Sequence, residues 1–320
     1  MKSKKYIKSF MSGNKAILIA LVIFIMLSFT SPIFLTSSNV LNVLRQVAVN
    51  TVIAMGFSII LGSGHIDLAC GSVLGLVGVV ISKSLVSGLP IWICVLLGLL
   101  VAEICELTSA FFISKFALVP FIVTLATSQI YRGLVYISTG MTVVTGLPDS
   151  FKVIGQGYFL GIPIPVYIMF GLIVVVWFLV NRTLFGRYIL AMGGNAEAAR
   201  VSGIDTIKIR YGAYAAMGVC IAIGAVITTA RTASGQISAG VGMEQDAIAS
   251  CVIGGTSMKG GKVNVIGALF GSLIVGMIAN GMNLLRIDTN WQVVVKGALI
   301  LVAVVFDAIS GTTGKVKKSK

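Results

Sequence analysis

Residues 163–181 read PIPVYIMFGLIVVVWFLVN, a stretch that contains no charged side chain. A helix rises about 1.5 Å per residue, so a run of this length covers most of the roughly 30 Å hydrocarbon core of a bilayer. The charged residues that begin at Arg182 mark its end. The stretch therefore predicts a transmembrane helix.

The same pattern recurs along the whole chain. Of the 320 residues, 57% are hydrophobic and 11% are charged, whereas a soluble domain carries about 25% charged residues. A soluble protein could not cover so many apolar blocks, so the sequence predicts an all-α polytopic membrane protein with about ten transmembrane helices. The eighth span is short and rich in glycine, which favours a broken or re-entrant segment. The candidate spans are 16–35, 43–62, 72–88, 91–113, 118–138, 163–181, 211–230, 246–258, 263–285 and 290–310.

Basic residues predict the orientation of the chain. The net charge is +14, but no soluble segment combines a basic face with aromatic residues, so the sequence favours no nucleic-acid partner. Lys and Arg instead concentrate in the regions that ten spans place on one side, as in cytoplasmic loops. We therefore expect both termini in the cytoplasm, with a basic N-terminus (1–15), a long cytoplasmic loop (182–210) and a basic tail (311–320). The exterior segment 139–162 is too short to be a receptor domain.

The residues argue against several kinds of chemistry. One histidine, His65, and five cysteines without a C-x-x-C pair provide no metal-binding pattern, so we expect no metal site. The segment TSMKGGKV (256–263) nearly matches a phosphate loop, but Thr256 replaces the first glycine and Val263 replaces the final Ser or Thr. There is no G-x-S-x-G motif. The sequence therefore predicts a chain that is not an enzyme and that binds no cofactor itself.

Two glycine-rich breaks resemble each other, IILGSGHIDLACGSVLGLVG (59–78) and CVIGGTSMKGGKVNVIGALFG (251–271). Each contains a G-x-x-x-G pair, and small residues at this spacing let helix backbones approach closely in lipid. Paired broken helices are a common way to build a transport pathway. Ordinary enrichment of glycine in membrane helices explains the pattern equally well. The pairs are Gly71 with Gly75 and Gly267 with Gly271.

Three acidic residues fall inside or beside apolar spans: Asp67, Glu103 and Glu106. Charge in hydrocarbon is costly, so such residues are either paired internally or functional. The cations that could pair with them are Arg45, Arg132 and Lys296. A relay for protons or sodium is the competing interpretation.

Five segments carry a resemblance to a known family: GHIDLACGSVLGLVGVV (64–80), GRYILAMGGNAEAARVSGI (186–204), MEQDAIASCVIGGTSMKGG (243–261), VIGALFGSLIVGMIANGMNLL (265–285) and WQVVVKGALILVAVVFD (291–307). Together they resemble the membrane permease of ribose-type sugar ABC importers. The resemblance covers nearly the whole chain in the right order. It implies one permease domain over 1–320, in the bacterial cytoplasmic membrane, that pairs with a second identical or related permease. It also implies a cytoplasmic ABC ATPase, which binds the ATP and Mg²⁺, and an extracytoplasmic sugar-binding protein.

The loop GGNAEAARVSG (193–203) resembles the segment that importer permeases insert into a groove of their ATPase. Glu197, Ala198, Ala199 and Arg200 favour a short helix, and Gly203 is a good C-terminal stop. The apolar and proline residues that usually follow the motif are absent here. The resemblance assigns the coupling of ATP hydrolysis to Gly193, Gly194, Asn195, Glu197, Ala198, Ala199, Arg200 and Gly203.

The resemblance also suggests residues along a substrate path, where a few polar groups would meet sugar hydroxyls. These residues are Asp67, Gln236, Glu244, Asp246, Asn280 and Asn283. Arg231 and Arg286, on the exterior, would meet acidic residues of the binding protein. His65, Glu103 and Glu106 depart from the family pattern, which indicates either an unusual cargo or a distinct second permease.

The expected function is therefore import of a monosaccharide, either a ribose-type pentose, a hexose or a related sugar. Two alternatives remain open. The first is that the chain is a related ABC permease whose cargo is a nucleoside or a branched-chain amino acid. A secondary transporter would bind a coupling ion at Asp67, Glu103 or Glu106, and its uptake would collapse with an uncoupler.

Overall fold

The computed structural model describes residues 15–316, with side chains from residue 16 to residue 305 except residue 289. The predicted basic N-terminus (1–15) and tail (311–320) lie outside the described residues, apart from the backbone of 15 and of 311–316. The described chain is mostly helical. Its helices are α1 (Lys15–Thr30), α2 (Ser37–Gly62), α3 (Cys70–Val86), α4 (Ile91–Lys115), α5 (Pro120–Thr139), α6 (Asp149–Gln156), α7 (Ile164–Arg182), α8 (Leu184–Gly194), α9 (Ala196–Val201), α10 (Thr206–Thr232), α11 (Met243–Ile253), α12 (Val265–Leu284) and α13 (Thr289–Val316). Two short antiparallel strands, β1 (Tyr158–Phe159) and β2 (Ile162–Pro163), lie between α6 and α7.

Prolines set the starts of several helices. Pro90, Pro148 and Pro163 occupy the N-cap positions of α4, α6 and α7, and Pro120 is the first residue of α5. Proline lacks an amide hydrogen, which the first turn of a helix does not use, so it starts a helix without cost. Pro32 lies in the turn between α1 and α2, and α1 therefore ends at Thr30, before the predicted residue 35.

The long helices run back and forth between two ends of the bundle. One end, named here the Gly193 end, contains the last turns of α2 and α8 and the loop before α12. There the Gly261 amide donates to the Gly62 carbonyl at 3.0 Å. The opposite end, named the Arg231 end, contains the start of α2, the helix α6 and the end of α10. Turns join α1 to α2 and α12 to α13 at the Arg231 end, so the described chain starts and finishes toward the Gly193 end.

Among the residues that the structure describes, five helices are long and apolar enough to cross a membrane: α2, α4, α7, α10 and α12. The apolar stretches of α2, α10 and α12 are mostly buried, and these helices form the centre of the bundle. Those of α4 and α7 are mostly exposed, with large side chains such as Trp92 and Phe178 on the surface. An apolar exterior around an apolar centre is typical of a protein whose outer helices contact lipid.

Each of the ten predicted spans overlaps one helix of the structure. The eighth, α11, has only 11 residues. The chain before it, residues 233–242, is not helical and runs along α3, from Gly235 beside Ser82 to Gly240 beside Gly71. Ser82 and Gly71 are separated by about 16 Å of helix, so α11 begins inside the bundle.

Both G-x-x-x-G pairs lie where backbones approach closely. A Cβ at Gly75 would come within 2.8 Å of the Ala239 carbonyl oxygen, and the non-helical segment passes at this point. A Cβ at Gly271 would come within 2.7 Å of the Ser250 carbonyl carbon, where α12 packs against α11. At both glycines, therefore, a neighbouring main chain occupies the space that a side chain would need.

Candidate functional site

The segment predicted to couple to an ATPase forms a sharply bounded helix, α9. The Asn195 side chain accepts a hydrogen bond from the Ala198 amide at 2.9 Å, which caps the first turn. At the other end, the Ile204 amide donates to the Ala199 carbonyl at 3.1 Å, with Gly203 at φ +86°. Glycine adopts this left-handed conformation without steric cost. Residues Ala196–Val201 therefore form one short helix, and the chain leaves it through Gly203.

Nearly all of the side chains of helix α9 are exposed. Glu197 and Arg200 form an ion pair at 2.6 Å, and about two-thirds of each side chain remains exposed. The hydrogen bond from Arg200 lowers the pKa of Glu197, so this carboxylate is ionised at neutral pH. Val201 is 76% exposed, and only Ala199 is buried. The helix can therefore offer a partner one ion pair and a small apolar face.

Five glycines bring three chain segments to backbone contact beside α9, and we name them the glycine junction: Gly62, Gly64, Gly193, Gly260 and Gly261. A Cβ at Gly193 would overlap the Gly62 carbonyl and lie 2.7 Å from the Gly261 nitrogen. A Cβ at Gly260 would lie 2.8 Å from the Gly64 Cα. The ends of α2 and α8 and the loop before α12 are thus held together by main-chain packing.

Two of the predicted path residues, Asp67 and Glu244, are brought to the start of α3, where Asp67 is buried and Glu244 is half-buried. Asp67 is fully buried and accepts a hydrogen bond from the Ala69 amide at 2.8 Å. Glu244 reaches Gly71 closely enough that a Cβ there would overlap its carboxylate. Arg132 completes this group by donating to the carbonyls of Ala239 at 2.9 Å and Gly71 at 3.2 Å. We name Asp67, Arg132 and Glu244 the buried polar centre.

Salt bridges between the buried acids and the three nominated cations are absent from the described side chains. Arg132 binds carbonyl oxygens, and Lys296 pairs with Asp246 at 2.9 Å. Both carboxylate oxygens of Glu106 and one of Glu103 are buried without a hydrogen-bond donor from the described residues. The possible pairing of these cations with Asp67, Glu103 or Glu106 is therefore not seen among the described side chains, because Arg132 donates instead to main-chain carbonyls beside the non-helical segment. The same part of the chain contains no group of three or more His, Cys, Asp or Glu side chains arranged for a metal ion.

The side chains of the remaining path residues bond to groups outside this centre. Asp246 faces α13 through Lys296, and Gln236 donates to the Ser234 hydroxyl at 2.8 Å. Asn280 exchanges hydrogen bonds with Asn39, at 3.1 and 2.8 Å. Asn283 accepts one from Gln292 at 2.7 Å. The two asparagines on α12 thus join it to α2 and α13 at the Arg231 end.

Arg231 lines a cavity of about 570 Å³ between α2, α6 and the end of α10. Arg45 lies in the same cavity, with its guanidinium 4.5 Å from the Tyr158 ring centroid and 2.9 Å from the Gln156 carbonyl oxygen. The Arg231 guanidinium makes no hydrogen bond with the described residues. None of the described residues that line the cavity is acidic; they are Asn42, Arg45, Gln46, Gly155, Gln156 and Arg231. Arg286 is exposed at the end of α12 and does not line it.

Sequence reasoning missed the roles of several residues. From the sequence, Arg132 and Arg45 were considered only as partners for acids. A charge within an apolar span indicates a functional or paired residue, but the sequence does not show which groups it contacts. Asn42, Gln46 and Gln156 gave no signal. Gln156 lies more than a hundred residues from the other two in sequence, and only the fold brings it to them.

Comparison with known proteins gives consistent results. Residues 39–304 match the family described as the branched-chain amino acid transport system permease component. The chain is 40% identical over 288 residues to a ribose import permease protein of Bacillus subtilis (strain 168), which covers 89% of each chain. It is 36% identical over 294 residues to a D-allose transport system permease protein of Escherichia coli (strain K12), covering 91% and 90%. An L-arabinose ABC transporter permease protein of Azospirillum brasilense is 33% identical over 291 residues, covering 91% and 86%. No solved structure matches the chain.

Proposed function

Because the chain belongs to the branched-chain amino acid transport system permease component family, we propose that it is the membrane-spanning permease of an ATP-driven monosaccharide importer. Relatives over nearly its whole length are permeases for ribose, allose and arabinose. These names favour a pentose or hexose as cargo over a nucleoside or a branched-chain amino acid. The family assignment likewise favours ATP over a coupling ion as the energy source. The chain is a multi-pass protein of the cytoplasmic membrane.

The observation that carries the proposal is the exposed, capped helix α9. Its ion pair and small apolar face suit insertion into a groove of an ATPase subunit, and its capping bonds fix its position between α8 and α10. The ATPase would bind ATP and Mg²⁺ and hydrolyse ATP, because the near phosphate loop at 256–263 lacks two required residues. Closure of that partner would push α9 and, through the glycine junction, α2 and the loop before α12.

We further propose that the Gly193 end faces the cytoplasm and that ten helices cross or enter the membrane. The cytoplasmic side of a membrane protein carries the excess of Lys and Arg. The Gly193 end carries Lys115, Arg182, Arg187, Arg200, Lys208, Arg210, Lys259 and Lys262. With this orientation, both termini are cytoplasmic, and α11 with its glycine-rich approach is the broken segment.

The buried polar centre is our candidate for contact with the passing sugar. Asp67, Glu244 and Arg132 combine two acceptors of hydroxyl protons with a donor, at the point where α3 and α11 begin. One carboxylate oxygen of Asp67 is buried without a hydrogen-bond donor from the described residues. The side chains of Asp246, Gln236, Asn280 and Asn283 bond instead to other side chains, which favours a structural role.

The cavity at Arg231 is the candidate docking point for the sugar-binding protein. Two guanidinium groups share it without an acidic neighbour, so a carboxylate from a docked partner would satisfy both. Arg286 would meet a separate acidic residue. Exposed apolar helices at the periphery leave room for a second permease, identical or related.

Uptake by a strain that lacks this gene, complemented with the wild type or a variant, tests the proposal. We expect uptake of radiolabelled ribose, allose or arabinose that fails on ATP depletion and survives an uncoupler. Unlabelled adenosine and leucine should not compete. Glu197→Lys combined with Gly203→Pro should abolish uptake with normal membrane levels, whereas Asp149→Lys at the opposite end should not. Uptake that follows the proton gradient would contradict the proposal.

A further inference from the structure

The loop between α11 and α12, which contains the near phosphate loop, is a compact folded turn. The Ser257 amide donates to the Lys262 carbonyl at 3.1 Å and closes the turn. Thr256 is fully buried, and its hydroxyl accepts from the Asn264 amide at 3.0 Å. Inside the turn, the Gly260 amide donates to the Ser257 carbonyl at 3.3 Å. These bonds give the loop a defined shape.

The turn presents two unneutralised cations. Lys259 and Lys262 are exposed, and neither side chain forms an ion pair or hydrogen bond with any residue that the structure describes. The acids on and just after α9 are already paired, Glu197 with Arg200 and Asp205 with Lys208. The loop therefore offers positive charge to a partner.

The glycine junction fixes this loop beside α9. A Cβ at Gly261 would lie 3.0 Å from the Gly194 Cα, and Gly194 directly precedes the residue that caps α9. We name residues 256–262 the lysine turn. The Gly193 end thus combines α9 and the lysine turn in one surface, joined by main-chain packing between Gly194 and Gly261.

We propose that residues 256–262 form a second docking element for the ATPase subunit, whose acidic side chains meet Lys259 and Lys262. This inference rests on the proposed function. A rigid turn packed at backbone distance against α9 suits a shaped protein surface, whereas neutralising lipid headgroups requires only mobile basic side chains. Movement of the ATPase would then reach α12 directly through the turn as well as through α9.

The test measures the affinity of the purified ATPase subunit for the full-length permease in nanodiscs of uncharged phosphatidylcholine. We expect Lys259→Glu with Lys262→Glu to weaken binding roughly tenfold. The charge-conserving pair Lys259→Arg with Lys262→Arg should remain within about twofold of the wild type. Because both side chains are exposed, the thermal stability of both variants should match the wild type.

The outcomes separate the inference from the proposed function. Support for the second docking element would be a tenfold lower affinity of the glutamate pair for the ATPase together with near wild-type affinity of the arginine pair. If the glutamate pair binds the ATPase as tightly as the wild type does, the second docking element is overturned, even if the lysines contact lipid. In that case, weaker binding by Glu197→Lys with Gly203→Pro would show that the docking role of α9 still holds. If the ATPase does not bind the wild type, or binds that α9 variant equally well, the docking role of α9 in the proposed function also fails.

Discussion

Gly193 allows three segments of the chain to pack main chain against main chain. Its missing side chain lets the end of α8 lie directly on the Gly62 carbonyl and the Gly261 amide, so three segments meet without intervening side chains. Packed interiors transmit small displacements because they are nearly incompressible. The glycine junction therefore connects α9 mechanically to two helices: α2, which ends at the first glycine-rich break, and α12, which begins after the loop of the second.

Replacement of Gly193 by alanine should destabilise the protein. The added Cβ overlaps the Gly62 carbonyl, and overpacking of this kind costs roughly 1–3 kcal/mol. We expect a midpoint lower by about 3–10 °C in thermal unfolding of the detergent-purified protein. The five cysteines are all free and buried, so a thiol-reactive dye reports the transition.

Gly194→Ala is the matched control for this substitution. It adds the same methyl group at the next residue, where nothing lies within 4 Å of the new Cβ. Its midpoint should equal that of the wild type. Equal destabilisation by the two variants would show that loss of glycine flexibility, and not the junction contact, is responsible.

At the scale of elements, the apolar blocks predicted the helices well and their partners poorly. The run at 163–181 needed only its length and lack of charge to predict α7, whose observed bounds, Ile164–Arg182, differ by one residue at each end. The extended approach to α11 and the carbonyl-binding role of Arg132 depend on contacts between distant segments. No local pattern specifies such contacts, so the buried polar centre could not be assembled from sequence.

Close packing between α11 and α12 predicts that an alanine at Gly271 is destabilising, whereas an alanine at the unpacked Gly171 of α7 is not. At Gly271 the added Cβ overlaps the Ser250 carbonyl, so Gly271→Ala should lower the unfolding midpoint. Gly171 lies within α7, where a Cβ meets nothing within 4 Å. Gly171→Ala should leave the midpoint unchanged or raise it, because alanine favours helix over glycine by about 0.5–1 kcal/mol. A loss of stability in Gly171→Ala equal to that in Gly271→Ala would contradict this account of close helix packing.

Across the whole molecule, charge and apolar surface give consistent information about the membrane. The outer helices expose large apolar side chains over their length, while exposed cations concentrate at the Gly193 end. Sequence alone predicted this separation, because both hydropathy and the distribution of Lys and Arg are local properties. The orientation that we propose on this basis would place α9 and the lysine turn with the ATPase, and the Arg231 cavity with the binding protein.

Single introduced cysteines test that orientation. Asp149 is 97% exposed on α6 at the Arg231 end, and Lys208 is 85% exposed in the first turn of α10 at the Gly193 end. In intact spheroplasts, a membrane-impermeant maleimide should label Asp149→Cys and spare Lys208→Cys, and inverted vesicles should give the reverse result. The native cysteines are buried and should add little background. Labelling of Lys208→Cys from outside would show that the Gly193 end faces the exterior. Helix α9 would then lie on the wrong side of the membrane for contact with a cytoplasmic ATPase.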